Sequence, residues 1–159
     1  MSRPERSAEI AALYQEMILD HYRRPRNKGT LENADASAEM KNPLCGDEIT
    51  LQVAFNANGV DDLRFSGRGC SISQASASMM TQLVKGKGAD EIAALRTRFR
   101  EMMLGDASAG TDEKLGSLRA LSGRGAVSGA GEVRVARMER VGERDGGARR
   151  LTSSGMDSA

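Results

Sequence analysis

Apolar and polar positions alternate with two different periods along this chain, and the first period is helical. From residue 8 to about residue 22 apolar side chains recur every three or four positions, which predicts an amphipathic helix that ends before Pro25. Residues 1–7 lack this pattern, and we expect them to be disordered. The only histidine, His21, falls near the helix end, where we predict a surface or capping role rather than a ligand role.

Further along the chain the period changes to two. Residues 48–55 alternate and are rich in β-branched side chains, which predicts a strand. The turn at 56–59 leads into a returning strand over 60–65, so the two strands form an antiparallel hairpin. Another short strand is expected near 36–40. The predicted fold class is therefore α+β, a small antiparallel β-sheet with helices packed on one face.

Helical spacing returns after the hairpin. It predicts a helix over 73–85, a second helix that Asp90 caps and that ends near Met103, and a shorter helix over 111–121. Only 3% of the residues are aromatic, so methionine is expected to fill part of the core instead. The methionines expected there are two pairs, Met79 with Met80 and Met102 with Met103.

The last part of the chain has a different composition. Residues 124–159 contain many glycines and arginines but no Lys, Phe, Tyr or Trp, and they show no sustained periodicity. Such a segment cannot bury enough apolar surface to fold, so we expect a disordered tail. The sequence thus divides into a disordered segment 1–7, one domain over 8–123, and the tail 124–159.

Charge and composition exclude several classes of function. The formal net charge is +1, which gives no electrostatic reason for a nucleic-acid or membrane partner. No apolar run approaches the length of a membrane span, and the first residues are too polar for a signal peptide. Two cysteines without a secretory signal indicate a reducing, cytoplasmic location, where we expect no disulfide.

Two turns carry the candidate chemistry, and each contains a cysteine. Cys70 follows a glycine-rich turn and precedes a predicted helix, whose N-terminus would favour a thiolate. Cys45 lies in a turn bounded by proline and glycine, two residues before Asp47. Because the predicted hairpin brings both turns to one end, Cys45, Asp47 and Cys70 form a candidate metal site.

The chemistry of these three side chains suits a soft or borderline metal. Two sulfurs and one carboxylate oxygen are ligands for zinc or for an iron–sulfur species. Three protein ligands with one position left open would describe a working site rather than a closed structural one. The alternative is that the cysteines are buried structural residues, since free cysteine often behaves as a small apolar side chain.

The same turns resemble the SufU/IscU-type iron–sulfur cluster assembly proteins. The motifs that match are Asn-Pro-Leu-Cys-Gly-Asp at 42–47 and Gly-Arg-Gly-Cys-Ser-Ile-Ser-Gln-Ala-Ser-Ala-Ser-Met-Met at 67–80. Residues 14–29 are similar to the N-terminal segment of the family, and the resemblance extends over about 11–123. The stretch 96–123 resembles an insertion that marks the SufU branch and that IscU-type scaffolds lack.

The resemblance implies a zinc-dependent sulfur acceptor rather than a stand-alone enzyme. Its partner would be a cysteine desulfurase of the SUF type, with other SUF assembly proteins as further candidates and no nucleic acid or membrane. Zinc would be held by Cys45, Asp47, Cys70 and a third cysteine, and displacement of one cysteine would free a nucleophilic thiolate. Two alternatives stay open: a scaffold on which an iron–sulfur cluster is assembled, and a structural remnant with two idle cysteines.

The chain departs from the family after Gly123. The resemblance implies a closing strand, a third cysteine and a helix with a tryptophan, and this sequence has none of these after that point. We therefore expect weak zinc binding and little sulfur transfer.

A slip of the reading frame near 123–125 would explain the difference from the family. Permitted codons for 125–141, read one base later, can encode Phe-Pro-x-Arg-Val-x-Cys-Ala and then Ala-Trp. Met138 followed by Glu139 must then give TGG, a tryptophan codon, and the cysteine falls at Val133.

Overall fold

A three-stranded antiparallel sheet organises the domain. The computed structural model describes residues 2–42 and 46–123. The strands are β1 (Ala36–Asn42), β2 (Asp47–Asn56) and β3 (Gly59–Arg68), and they lie in the order β1-β2-β3. All three predicted strands are confirmed, and the α+β class with them, although β1 continues beyond its predicted C-terminal end and β2 and β3 extend at both ends.

The sheet buries one face, as its alternating sequence requires. Along β2 the buried side chains are Ile49, Leu51 and Val53, with less buried residues between them. Leu51 lies opposite Phe65 of β3, which is also fully buried. Because successive side chains of a strand point to opposite faces, this alternation places one layer of apolar side chains against the helices.

The central helix, α2 (Ser71–Val84), is buried along most of its length. Every residue from 73 to 81 is buried, and the helix contacts β3, a first helix α1 (Arg3–Arg23) and a closing 3₁₀ segment (Glu113–Leu121). Its run of alanines and serines keeps the helix narrow, so that neighbouring elements can approach on several sides. Met79 and Met80 are buried here, as predicted.

Helix α1 is longer than its apolar pattern indicates. It begins at Arg3, five residues before the predicted start, so it includes residues expected to be disordered. The backbone N–H of Ser2 donates to Glu5 Oε2 at 2.7 Å, which satisfies a group at the helix end that would otherwise lack a partner. The signal in the sequence is the Ser-x-x-Glu spacing, which the apolar periodicity does not contain. The helix ends at Arg23, before Pro25, as predicted.

His21 is a core residue, so the predicted surface or capping role was wrong. Its side chain is only 5% exposed, and Nδ1 lies 2.8 Å from Oγ of Ser78 on α2. The same hydroxyl accepts the backbone N–H of Arg26 at 2.8 Å. The serine therefore joins both the end of α1 and the turn after it to the central helix.

The turn after α1 also covers the outer edge of β3. The N–H of Phe65 donates to the carbonyl of Asn27 at 2.9 Å, and the N–H of Gly29 donates to the carbonyl of Phe65 at 2.8 Å. Asn27 adopts a left-handed conformation with φ of 60°, which asparagine tolerates better than most residues. The turn thus occupies backbone groups that an open strand edge would expose.

The remaining helices differ in detail from the prediction. Helix α3 (Ala89–Met103) ends where expected, but its N-cap is Gly88, so the predicted capping role of Asp90 was wrong. A short helix α4 (Ala107–Gly110) and the closing 3₁₀ segment replace the single helix predicted over 111–121. Met102 and Met103 are buried, as expected. None of the described helices combines the length and the apolar character that a membrane crossing requires.

The guanidinium of Arg98 holds the region between α3 and the closing segment. Its Nε donates to Asp112 at 2.7 Å, its Nη1 to Glu101 at 2.8 Å and its Nη2 to Ser108 at 3.2 Å. The hydrogen bonds to Glu101 and then to Asp112 raise the pKa of Arg98 above its usual value. The sequence 96–123 is therefore an ordered part of the domain.

The buried histidine predicts a pH dependence of stability. Burial is the largest cause that lowers the pKa of His21, and the charge of Arg26 adds to it while Asp20 opposes it. The unfolded chain binds a proton on His21 more readily than the folded protein does. The stability that depends on a neutral His21 is therefore complete above about pH 6.5 and is lost as the pH falls toward the lower pKa of the folded state. We expect the urea midpoint to fall more between pH 8 and pH 5.5 than it does for His21→Gln. Equal decreases in the two proteins would contradict this assignment.

Candidate metal centre

Asp47 supplies the carboxylate of the candidate centre. It is the first residue of β2 and is only 4% exposed. Its Oδ1 accepts the backbone N–H of Cys70 at 3.1 Å. A buried carboxylate is costly without such a partner, so this hydrogen bond both offsets the burial and fixes the distance between the two turns.

Cys70 is the N-cap of α2 and is exposed to solvent. Its backbone is extended, with φ of −66° and ψ of 167°, and its Sγ accepts the backbone N–H of Ser73 at 3.4 Å. The prediction that the cysteine lies at the helix N-terminus is confirmed. The sulfur therefore lies beside N–H groups of the first turn, an arrangement that stabilises negative charge on a capping atom.

Gly69 allows the carboxylate to approach. A Cβ at this position would lie 2.6 Å from Oδ1 of Asp47 and 3.0 Å from Oγ of Ser73. Gly67 has a different role, since its φ of 117° is a conformation that favours glycine. At Gly69 the structural reason for glycine is the lack of space beside the carboxylate.

The described structure brings together two of the three predicted ligands. Asp47 and Cys70 are adjacent, whereas Cys45 belongs to residues 43–45, which lie outside the described residues. Asn42, which precedes this segment, and Asp47, which follows Gly46, are directly opposite each other in the register of β1 and β2. No group of three or more His, Cys, Asp or Glu residues that could hold a metal occurs among the residues the structure describes.

The donor types of the two described residues fit zinc. A carboxylate oxygen and a thiolate sulfur both belong to its usual ligand set, and the exposed Cys70 is joined through its backbone N–H to the carboxylate of Asp47. His21 does not contribute, because its ring is bound to Ser78 in the interface between α1 and α2. The candidate centre therefore depends on Asp47, Cys70 and the turn that carries Cys45.

Arg68, next to the glycine before Cys70, is a surface residue. Its side chain is 77% exposed, and its Nε lies 3.4 Å from Oε2 of Glu48. An exposed ion pair of this kind contributes little to stability. This geometry agrees with a solvated arginine better than with a residue that acts on the thiol of Cys70.

Sequence reasoning missed one polar residue close to the centre. Gln74, in the first turns of α2, is only 5% exposed. Both polar atoms of its side-chain amide, Oε1 and Nε2, are buried and have no hydrogen-bond partner within the described part of the chain. In the motif only the length of its amide side chain distinguishes this glutamine from the alanines and serines around it.

Comparison with known proteins identifies the family. The profile of the NifU-like N-terminal domain family matches residues 13–120, which include the whole sheet and the glycine turn before Cys70. The chain belongs to this family. The match confirms the resemblance seen in the sequence motifs.

Individual relatives agree with the family assignment. The chain is 44% identical over 117 residues to the zinc-dependent sulfurtransferase SufU of Bacillus subtilis, covering 74% of this chain and 78% of SufU. It is 41% identical over 116 residues to the iron–sulfur cluster assembly scaffold protein IscU of Streptococcus pyogenes, covering 73% and 72% of the two chains. A crystal structure from Fervidobacterium islandicum AW-1, described as a proposed iron–sulfur cluster assembly scaffold of the SUF system, superposes with a TM-score of 0.66 at 30% identity over 78% of this chain and 92% of that one.

The crowding at Gly69 predicts the effect of a single methyl group. Gly69→Ala should destabilise the fold by about 1–3 kcal/mol, because the new Cβ must displace the carboxylate from the N–H of Cys70. Urea unfolding of the purified protein measures the loss. In an Asp47→Ala background the same change should cost less, because the carboxylate that the methyl group approaches most closely is gone and only Oγ of Ser73 remains. Equal costs in the two backgrounds would rule out the carboxylate as the cause.

Proposed function

We propose that this protein acts in iron–sulfur cluster assembly as a zinc-dependent sulfur acceptor. Its partner would be a cysteine desulfurase of the SUF type. The observation that carries the proposal is the hydrogen bond from Cys70 to Asp47, which holds a thiol and a buried carboxylate at one end of the sheet. Membership of the NifU-like family and the similarity to a zinc-dependent sulfurtransferase support it.

Cys45, Asp47 and Cys70 would hold the zinc ion. Bound zinc would keep coordinated thiols deprotonated at neutral pH, which makes them available as nucleophiles once they are released. The protein contributes the geometry: β2 and the Cys70 N–H fix Asp47, and the N–H of Ser73 orients the sulfur of Cys70. Exposure of Cys70 leaves this side of the centre accessible to a partner.

The tail limits what this particular chain can do. The sequence contains two cysteines in all, at positions 45 and 70, and so lacks the third cysteine that accepts sulfur in SufU-type proteins. We therefore propose that zinc binds weakly and that little sulfur is transferred. A frame slip near 123–125 would account for the loss, and sequencing the gene and its transcript tests it. An uninterrupted frame in both would remove that explanation.

A scaffold for assembly of an iron–sulfur cluster is the second candidate function. The similarity to the scaffold protein of Streptococcus pyogenes supports it, and thiolates also ligate iron. The resemblance of 96–123 to the SufU-type insertion favours the sulfur acceptor instead. The third possibility, a structural remnant with idle cysteines, requires that the protein melt at the same temperature with and without a chelator.

Titration with zinc tests the ligand assignment. The unsubstituted chain should bind about one ion weakly, and Cys70→Ser and Asp47→Asn should each reduce the affinity on the order of tenfold or more, because each removes a ligand. Arg68→Ala is the control, since it changes an exposed neighbour of the site, and its affinity should be unchanged. Calorimetry or competition with a chromophoric chelator gives the dissociation constants.

Two outcomes of this titration would change the proposal. Tight, stoichiometric binding by the unsubstituted chain would show that another residue supplies the fourth ligand. Equal affinities for the unsubstituted chain, Cys70→Ser and Asp47→Asn would overturn the assignment of the centre to these turns.

Activity assays separate the two candidate functions. A sulfur acceptor should stimulate cysteine consumption by a SUF-type desulfurase, whereas a scaffold should develop the visible absorbance of a cluster on reconstitution with iron and sulfide. A chain with the frame corrected after Gly123 should stimulate the desulfurase more strongly than the present chain, because it regains a cysteine at position 133. Cluster absorbance without any stimulation would favour the scaffold.

A further inference from the structure

The end of α1 and the turn that follows it concentrate positive charge. Residues 22–28, which we call the basic turn, contain three arginines and one lysine but no acidic residue. The whole chain is nearly neutral, with 23 basic and 22 acidic residues, so this charge is a local feature of the surface. The side chains of Arg23, Arg24 and Lys28 are exposed to solvent.

One carboxylate serves the basic turn. Asp20 accepts from Nη2 of Arg24 and from Nη2 of Arg26, each at 2.7 Å. Neither Arg23 nor Lys28 forms an ion pair with any residue in the part of the chain that the structure describes. The helix dipole favours cations within the last turn of α1, which accounts for Arg23 but not for Lys28. The basic turn therefore keeps an excess of positive charge that faces solvent.

Hydrogen bonds to α2 and β3 fix the backbone of the basic turn. The N–H of Arg26 donates to Oγ of Ser78 at 2.8 Å, and the carbonyl of Asn27 accepts the N–H of Phe65 at 2.9 Å. The side chain of Asn27 also donates from Nδ2 to Oγ1 of Thr81 at 3.3 Å. Because this backbone is already ordered, its cationic side chains lose less entropy on binding a partner than those of a flexible loop would.

The anchors of the basic turn lie close to the candidate centre. Ser78 follows Cys70 by two helical turns, which corresponds to about 12 Å along α2. Phe65 precedes Cys70 by five residues, near the C-terminal end of β3. A protein interface of standard size covers about 800 Å² on each partner, a patch about 30 Å across. A single partner can therefore contact both the basic turn and Cys70.

Tyr22 adds an aromatic side chain to the basic turn. This side chain is 47% exposed at the end of α1. Tyrosine and arginine are enriched at protein–protein interfaces, and arginine binds carboxylates through two parallel hydrogen bonds. Exposed arginines beside an exposed tyrosine thus form a surface that suits an acidic patch on another protein.

The charges along β3 favour a compact acidic patch over a nucleic acid. Arg64 lies 3.4 Å from Asp62, and Arg68 lies 3.4 Å from Glu48, so carboxylates accompany both of these arginines. The positive charge of the basic turn consequently does not continue as a stripe along the strand. Duplex DNA carries one negative charge about every 1.7 Å and binds best to an extended row of cations.

We propose that the basic turn is a docking surface for an acidic patch on the cysteine desulfurase. The inference rests on the proposed function, because it names the surface through which the sulfur acceptor binds its partner. Complementary charges increase the rate of association and fix the relative orientation of two proteins. Docking at this turn places the partner beside Cys70, which is exposed.

Charge reversal at the two cations without ion pairs tests the docking role. The variants are Arg23→Glu, Lys28→Glu and the double substitution. The matched control is Lys114→Glu, which makes the same change at an exposed lysine of the closing 3₁₀ segment. Calorimetry would measure the binding of each full-length protein to a purified SUF-type cysteine desulfurase at about 50 mM and about 300 mM salt. Urea unfolding of each variant would verify that it is folded.

A docking role predicts a loss of affinity that depends on position and on salt. At the lower salt concentration the double variant should bind the desulfurase on the order of tenfold more weakly, and each single variant should show part of this loss. Lys114→Glu should stay within about twofold of the unsubstituted chain. At the higher salt concentration the differences should shrink, because exposed charges are screened. Equal losses for Lys28→Glu and Lys114→Glu would overturn the inference.

The same series distinguishes failure of this inference from failure of the proposed function. If the unsubstituted chain binds the desulfurase and the folded double variant binds within about twofold of it at both salt concentrations, the inference alone is wrong. If the unsubstituted chain does not bind the desulfurase, the proposed function is wrong and the inference is lost with it.

Two further probes test the choice of partner. Duplex DNA and vesicles that contain an anionic lipid would be titrated with the unsubstituted chain and with the double variant. We expect weaker binding to either probe than to the desulfurase. Tighter binding to one of them, lost on charge reversal, would show that the basic turn binds phosphate groups and would overturn the proposal.

Discussion

The hydrogen bond from the Cys70 backbone to the Asp47 carboxylate is the constraint on which the candidate centre depends. It joins the start of β2 to the start of α2, two points separated by 23 residues in the chain. The bond exists because position 69 has no side chain, since a single methyl group would occupy the space of the carboxylate oxygen. A buried carboxylate without this partner would be expensive, and without the carboxylate the turn before Cys70 would lose its contact with the sheet. The same hydrogen bond therefore determines both the local geometry of the turn and the relative position of the two candidate ligands.

The central helix α2 holds Cys70, the other partner of this hydrogen bond, in position. Small side chains along α2 let β3, α1 and the closing 3₁₀ segment all contact one helix, so its N-terminus is held in place from several directions. Ser78 is the clearest example, because one hydroxyl serves both His21 and the turn at Arg26. That turn pairs with Phe65 near the C-terminal end of β3, two residues before Gly67. A rigid helix N-terminus is what a metal ligand at the cap position requires.

The sequence predicts the elements well and their contacts less well. Alternation identifies β2 and β3 because one face of each is buried, and the glycine turn places Cys70 at a helix cap correctly. Apolar spacing misses the first turn of α1, since Ser2 and Glu5 stabilise that turn through capping rather than packing. It also misplaces His21, whose burial depends on a serine 57 residues away. Such long-range contacts leave no periodic signal. Family motifs mark Asp47 as a candidate ligand, but the need for Gly69 beside it follows only from the three-dimensional distance.

The residues of this domain that depart from the usual local preferences lie close together. The amide of Gln74 is buried without a hydrogen-bond partner among the described residues, and the carboxylate of Asp47 is also buried. Position 69 is a glycine in a closely packed region. All three residues lie near the Cys70 cap. Elsewhere in the described residues the polar groups of the core are bonded, as at Ser78 and Thr81. Conflicts between local preference and structure are expected where a functional site requires a group that the fold itself does not require. Their concentration at the start of α2, rather than their individual energies, is the strongest reason to regard this end of the sheet as the functional one.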